Sequence, residues 1–300
     1  MPRHTLIIIL ALGCNEAQPQ PDRLPVTTAD CWAERACADI LVLSHKGDGV
    51  DEPENSIAAI KALAEAGVDA VEVDPRLTRD GHFVLMHDEG IKRTTSADDD
   101  LPVSSLTLDE IQAYALTDPR CPTPQAEPQR CQVPTLADAL DAAKGRIVLL
   151  LDVKDRDAER LLEVLRQHHG VATSLVRNTD LAFLDTLSNA LPDLLTLDWT
   201  EDEQTALEVI DNRGPKLMQV DPGDLAAVQA AAAAKQVRVM VATVTNVDLY
   251  LWAHVDGGAL GQEAGALQAI EDLKELGVRL FLTSYPIQIQ RLLAGESLAP

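Results

Sequence analysis

The chain has 300 residues, 46% hydrophobic, 24% charged and only 3% aromatic, so its core must come from Leu, Val, Ile and Ala; that length fits one large α/β domain. Its 25 Lys and Arg stand against 48 Asp and Glu, a formal net charge of −23 at pH 7, which repels phosphate backbones and argues against nucleic acid as a partner. An anionic substrate therefore needs a local cation to land on, and a divalent metal is one way to provide it.

Residues 1–14 read as an export segment. Arg3 and His4 precede the apolar run Leu6-Ile7-Ile8-Ile9-Leu10-Ala11-Leu12, which ends at Gly13-Cys14. The run is too short to span a bilayer and has the shape of a secretory signal. It resembles a bacterial lipoprotein signal, in which the Cys after a small residue carries lipid and becomes the mature N-terminus. The resemblance implies lipidation at Cys14 and a membrane-anchored lipoprotein of the bacterial cell envelope, on its periplasmic or surface face; an ordinary signal peptide is the alternative. Residues 15–38 form a tether and N-terminal segment, rich in Pro, Gln and Thr up to residue 29. With Cys14 set aside, Cys31, Cys37, Cys121 and Cys131 remain. Close spacing suggests local bridges Cys31–Cys37 and Cys121–Cys131, although four cysteines allow three pairings. An oxidising compartment permits both. Zinc is the competing reading, and it is disfavoured because no pair has Cys-x-x-Cys spacing.

From residue 39 to 295 strand-like and helix-like segments alternate. Strand candidates are 40–44, 68–74, 82–87, 147–151, 174–177, 194–197, 216–220, 237–244 and 279–283; helical spacing marks 56–66, 106–115, 135–143, 158–168, 181–191, 224–235 and 264–276. Gly67 follows the first helix as a natural stop. This rhythm favours a parallel α/β fold, and eight strands close a TIM-type (β/α)₈ barrel. One of the nine strands is then surplus, and the short 216–220 segment is the expected one. An irregular, Pro-rich and Cys-bearing insertion lies near residues 88–133. A doubly wound open sheet is the rival, but no G-x-G-x-x-G or P-loop motif stands at a strand-to-helix turn.

Polar residues cluster where these strands end. His45 ends the first, Glu72 and Asp74 the second, His87 the third, and Asp152 with Lys154 the fourth. The C-terminal strand ends of such a barrel share one mouth, where its active sites lie. Residues i and i+2 of a strand face the same way, so Glu72 pairs with Asp74 and Asp152 with Lys154. Three carboxylates without Cys suit a hard cation, Ca²⁺ or Mg²⁺, which polarises a phosphate oxygen. Lys46 and Lys154 would neutralise the remaining oxygens. Two histidines, with ordinary pKa near ~6.5, suit the roles of base and acid.

A family resemblance follows from these residues. His45-Lys46-Gly47, Pro53-Glu54-Asn55-Ser56, Gly67-Val68-Asp69-Ala70-Val71-Glu72-Val73-Asp74, Thr78-Arg79-Asp80-Gly81, Met86-His87-Asp88 and Arg93-Thr94-Thr95 resemble the glycerophosphodiester phosphodiesterase family, in that family's order. Val133-Pro134-Thr135-Leu136, Leu151-Asp152-Val153-Lys154 and Thr283-Ser284-Tyr285-Pro286 continue the resemblance. It implies a metal-dependent hydrolase that cuts glycerophosphodiesters into glycerol phosphate and an alcohol. The resemblance further implies that the neighbouring glycerol hydroxyl attacks and that water then opens the cyclic phosphate. It also implies His45 and His87 as the acid–base pair, Glu72, Asp74 and Asp152 as ligands of one divalent cation, and Lys46, Glu54, Asn55 and Lys154 around the phosphate or substrate.

The chain departs from the family pattern at four places. Lys46 replaces the usual Arg, and so loses its bidentate fork. Asp152 replaces Glu and is one methylene shorter. Ala242-Thr243-Val244-Thr245 stands for Trp-Thr-Val-Asn, with Asn246 one place on, and Ser284 stands for Asp. Asp-x-Lys at 152–154 is also similar to the sphingomyelinase D-like phospholipases, which implies lysophospholipid as an alternative substrate. A third reading is a non-catalytic, surface-anchored binding protein on a degenerate barrel.

Overall fold

The computed structural model describes Trp32 and residues 40–220, 225–243 and 262–298. The expected export segment with Cys14, the tether apart from Trp32, the Cys31–Cys37 pair and positions 244–246 lie outside the described residues. In chain order the strands are β1 (Leu41–Ser44), β2 (Ala70–Val73), β3 (Pro75–Leu77), β4 (Phe83–Leu85), β5 (Val148–Asp152), β6 (Ser174–Asn178), β7 (Leu195–Trp199), β8 (Leu217–Val220), β9 (Arg238–Ala242) and β10 (Leu280–Thr283). Eight of them close a barrel in the order β1-β10-β9-β8-β7-β6-β5-β2, every pair parallel.

Period-two alternation divides the apolar strand residues between two cores. Leu43, Leu150, Leu175, Leu197, Met240 and Leu282 fill the barrel interior, and Trp32 joins that cluster. Val71, Leu149, Leu151 and Val176 point outward against helices on one side, as do Met218, Val239, Val241 and Phe281 on the other. Strands buried on both faces explain the uninterrupted apolar runs of the sequence. The helices are α1 (Ile57–Glu65), α2 (Leu108–Gln112), α3 (Pro128–Cys131), α4 (Leu136–Ala143), α5 (Ala158–Gln167), α6 (Leu181–Ala190), α7 (Glu203–Asn212), α8 (Leu225–Lys235), α9 (Gln262–Glu275) and α10 (Pro286–Leu293). Their starts are set by side chains that accept otherwise unpaired helical N–H groups. Ser56 caps α1, and Thr135 forms a reciprocal capping box with Asp138 on α4.

Two strand assignments change. The 216–220 segment is not surplus: β8 pairs in parallel with both β7 and β9. The surplus strand is the one before His87. Parallel pairing needs a crossover of roughly a dozen residues or more, and the chain from β2 to β4 is too short to supply it. A tight turn with Gly81 at φ +84 instead folds β4 back on β3 as an antiparallel ribbon outside the barrel. His87 therefore leaves a ribbon rather than a barrel strand, and Asp152 ends the third barrel strand rather than the fourth. The 88–133 insertion continues from this ribbon with its own core of Val84, Met86, Ile91, Val103, Ile111 and Leu116. Within it Cys121 and Cys131 form a disulfide, with Cα atoms 5.2 Å apart.

Candidate active site

The carboxylates meet because of strand register. β2 lies beside β5 with Glu72 opposite Leu150 and Val73 opposite Leu151, which carries the next residue, Asp74, level with Asp152. One ligand oxygen from each of Glu72, Asp74 and Asp152 lies within 4.8 Å of the other two, and all three residues are buried. Asn55 fixes the deepest of them. It sits in the left-handed region at φ +54, a conformation that Asn tolerates better than most residues. Its Nδ2 donates to Asp74 Oδ2 at 2.8 Å, and its Oδ1 accepts from the Asp74 N–H at 2.9 Å. Asp74 Oδ1 is then left buried with no hydrogen bond: Lys154 Nζ forms an ion pair with it at 2.9 Å, but out of hydrogen-bonding alignment. Three converging carboxylates, one with a buried oxygen that accepts no hydrogen bond, fit a hard divalent cation.

Two cations already sit among these oxygens. Register again places the first, since Arg177 on β6 lies opposite Asp152. Arg177 Nη2 contacts Glu72 Oε1 and Asp152 Oδ2, the latter at 2.6 Å, while Nη1 donates to Gln219 Oε1 at 2.9 Å. Its guanidinium lies 5.2 Å from the centroid of the Trp199 ring. Lys154 approaches from nearer the mouth and ion-pairs with Asp74 and Asp152. Burial pushes the Asp152 carboxyl up, but the charges of Arg177 and Lys154 more than offset that and hold it below its ordinary value. Burial likewise pulls Lys154 down, and Asp74 and Asp152 raise it further than that. Arg177, Trp199 and Gln219 were absent from the residues expected at this site. Their sequence signal is Leu175-x-Arg177, Leu197-x-Trp199 and Leu217-x-Gln219, a polar or aromatic residue two places after an inward apolar one.

The histidines reach the same cavity from two different supports. His45 follows β1, where its N–H donates to Thr283 O at 2.8 Å. Its Nε2 is 3.6 Å from Glu72 Oε2, and its Nδ1 faces Asp48 Oδ2 at 3.7 Å and Ser284 Oγ at 3.5 Å. Ser284 Oγ also donates to Asp48 Oδ2 at 3.0 Å. Burial lowers the His45 pKa, but the neighbouring carboxylates of Asp48 and Glu72 outweigh it and raise it above its ordinary value. On the far side, His87 Nδ1 is 2.8 Å from Asp88 Oδ1. Arg93 bonds Asp88 and places its fork on Glu54 with two contacts of 2.8 Å. Hydrogen bonding from Arg93 holds the Asp88 carboxyl far below its ordinary value, despite the opposing effect of burial. Arg76 donates to the His87 carbonyl at 2.9 and 3.2 Å.

The cavity has a volume of about 410 Å³ and opens at the C-terminal end of the barrel, with His45, Glu72, His87, Asp152, Lys154 and Arg177 in its walls. Ala242, where the resemblance expects Trp, is also in its wall. The structure thus brings together both histidines, all three carboxylates and Lys154. Lys46, also at positive φ, contributes its backbone N–H to Glu72 Oε2 at 3.2 Å. Asn55 and Glu54 lie one step back: the amide of Asn55 is bonded to Asp74, and the carboxylate of Glu54 to Arg93.

The chain is similar to known proteins in sequence and in fold. A glycerophosphodiester phosphodiesterase of Caldanaerobacter subterraneus subsp. tengcongensis is 47% identical over 72 residues, a stretch that covers 24% of this chain and 29% of that relative. The crystal structure of a glycerophosphoryl diester phosphodiesterase from Parabacteroides distasonis superposes with a TM-score of 0.70 at 22% identity, covering 90% of this chain and 92% of that one. A phosphodiesterase from Oleispira antarctica, solved in complex with the product sn-glycerol-3-phosphate, gives a TM-score of 0.66 at 21% identity, covering 87% of this chain and 99% of that one. At such identities the structures establish the barrel fold alone. The sequence model of the Glycerophosphoryl diester phosphodiesterase family matches residues 45–287, nearly the whole barrel and every site residue just described, and the chain belongs to that family.

Proposed function

We propose that the protein hydrolyses glycerophosphodiesters to glycerol phosphate and an alcohol, with His45 and His87 as the acid–base pair. The observation that carries this reading is the convergence of both histidines and three buried carboxylates on one cavity at the barrel mouth. The product-bound relative from Oleispira antarctica supports glycerol phosphate as the product here. Asp88 engages Nδ1 of His87 and leaves Nε2 to exchange a proton with substrate. His45, held between Asp48 and Glu72, handles the second proton on the opposite side of the phosphate. Lys154 is the mobile positive group: its flexible stem lets it turn from Asp152 to a bound phosphate oxygen.

Glu72, Asp74 and Asp152 would hold one divalent cation, Ca²⁺ or Mg²⁺, which supplies Lewis-acid stabilisation of charge on the phosphate. The test is release of glycerol phosphate from glycerophosphocholine and glycerophosphoethanolamine by protein lacking residues 1–14, with chelator and with metal restored. Turnover that needs the cation is the expected result. No turnover of any glycerophosphodiester or lysophospholipid, across a range of Ca²⁺ and Mg²⁺ concentrations, overturns the proposal. Export and lipid anchoring at Cys14 rest on the N-terminal pattern alone. The expected result is that Cys14→Ser moves the full-length chain from the membrane fraction to the soluble one, and unchanged partitioning overturns the anchor.

A further inference from the structure

Arg177 is too deeply built into the floor of the cavity to serve as a passing substrate contact. Its side chain is 5% exposed, against 19% for Lys154. Gln219 engages one guanidinium nitrogen, Trp199 lies against its face, and the other terminal nitrogen is shared by Glu72 and Asp152. These two carboxylates are two of the three groups that fit a divalent cation. Asp152 also stops one methylene short of the Glu that the family resemblance leads one to expect, and the guanidinium bridges it to Glu72. A planar, permanently charged fork suits such a bridge.

Charge counting gives this arrangement a consequence. Three carboxylates facing Arg177 and Lys154 are left with a single uncompensated negative charge, a poor match for a divalent ion. Without Arg177 they would be left with two. Uncompensated like charges so close together destabilise a buried site strongly, so the guanidinium also offsets the repulsion between the carboxylates when no ion is bound. Lys154 can leave its carboxylates for a substrate phosphate, but Arg177, enclosed on every side named above, cannot. Taking Glu72, Asp74 and Asp152 as the cation site, as proposed above, we infer that Arg177 is a resident counter-cation: it holds Glu72 and Asp152 in place without a divalent ion and competes with that ion for them. The site then binds its divalent cation weakly, and the fold does not depend on it.

The experiment compares wild type, Arg177→Met and Arg177→Lys by calorimetric titration with Ca²⁺ and with Mg²⁺, and by thermal unfolding in chelator and in excess ion. Wild type is expected to bind in the ~millimolar range, typical of sites not tuned for tight capture. Its Tm should move by no more than about 2 °C on chelation, since weak binding adds little stability. Arg177→Met should bind at least ~tenfold tighter, because a nearby positive charge has been removed, and its Tm should become strongly dependent on the ion. Arg177→Lys, which keeps the charge, should stay close to the wild-type dissociation constant. If Arg177→Met unfolds in chelator even with ion added back, the wild-type titration and the Lys variant decide the matter. Sub-micromolar binding by wild type, a large fall in its Tm on chelation, or no tightening in Arg177→Met each overturn the role of Arg177. Absence of binding in all three proteins overturns the cation site itself.

Discussion

On the floor of the cavity, Glu72, Asp74, Asp152 and Arg177 take their places from the register of three adjacent strands, whereas on the rim His87 is positioned by side chains drawn from separate loops. The floor is buried, and its contacts run between groups whose backbones are already locked in the barrel. The rim works by a relay: Glu54 in the β1–α1 loop holds Arg93 in the insertion, Arg93 holds Asp88, and Asp88 holds the His87 ring. Each partner in that relay is at least partly exposed. On a floor of this kind a charge that is removed must be replaced by another, while a rim of this kind can be loosened by degrees. One half of the proposed acid–base pair stands on each type of support, which makes the contrast measurable.

Removing either imidazole tests whether both halves are needed. His45→Ala and His87→Ala should each lower kcat on the preferred glycerophosphodiester by ~10²–10⁴-fold, the usual worth of a positioned acid or base. Neither should alter Tm much, because neither ring is fully buried. Equal activity in a variant and wild type would remove that histidine from the mechanism. Next in size is the floor. Asn55→Ala deletes both hydrogen bonds to Asp74 and leaves its Oδ2 and N–H buried without them, which should lower stability by about 1–3 kcal/mol as read by denaturant unfolding. A smaller loss is expected at the rim. Arg93→Met frees Asp88 from Glu54 but leaves the Asp88–His87 bond in place, so kcat should fall by roughly tenfold through misplacement of the ring. Its stability should change by less than about 1 kcal/mol, since the ion pairs it loses are partly exposed. If Arg93→Met were as damaging as His87→Ala, the rim would be no more adjustable than the floor.

The same contrast explains what could be read from the chain alone. His45, Glu72, Asp74, Asp152 and Lys154 were legible because each follows an apolar strand run, and the period of two then fixes which way it points. Arg177 obeys the same pattern, yet its importance depends on lying opposite Asp152, and a register between strands is not written in either strand. Asn55 and Glu54 were visible as members of a motif. Which partner each holds depends on chain segments tens of residues away, Asp74 for one and Arg93 for the other. The two exchanged strands have a single cause. Segment 216–220 and segment 82–87 look alike as short apolar runs, and only the length of chain preceding each decides between a barrel strand and a hairpin.

The outermost layer of the rim should be the first to yield, and acid is the means to show it. Arg120 and Arg130 flank the disulfide cysteines; Arg120 pairs with Asp118 and Asp51, and Arg130 with Glu52, which ties the insertion to the loop that carries Glu54. Hydrogen bonding from Arg120 holds the Asp118 carboxyl down at about 2. A carboxylate depressed in the folded state adds stability that is complete above its unfolded pKa, near ~3.9, and is lost as pH falls through the folded value. Between neutral pH and pH ~4 the amide protection of residues 118–131, corrected for the pH dependence of intrinsic exchange, should therefore stay constant, and below that it should fall while barrel strands remain protected. Asp118→Asn removes the charge at every pH, so its 118–131 segment should exchange faster than wild type at pH 7. It should show less further change in acid. Exchange in that segment that follows the barrel strands at all pH values would mean that the insertion and the floor form one cooperative unit, and the distinction between them would not hold.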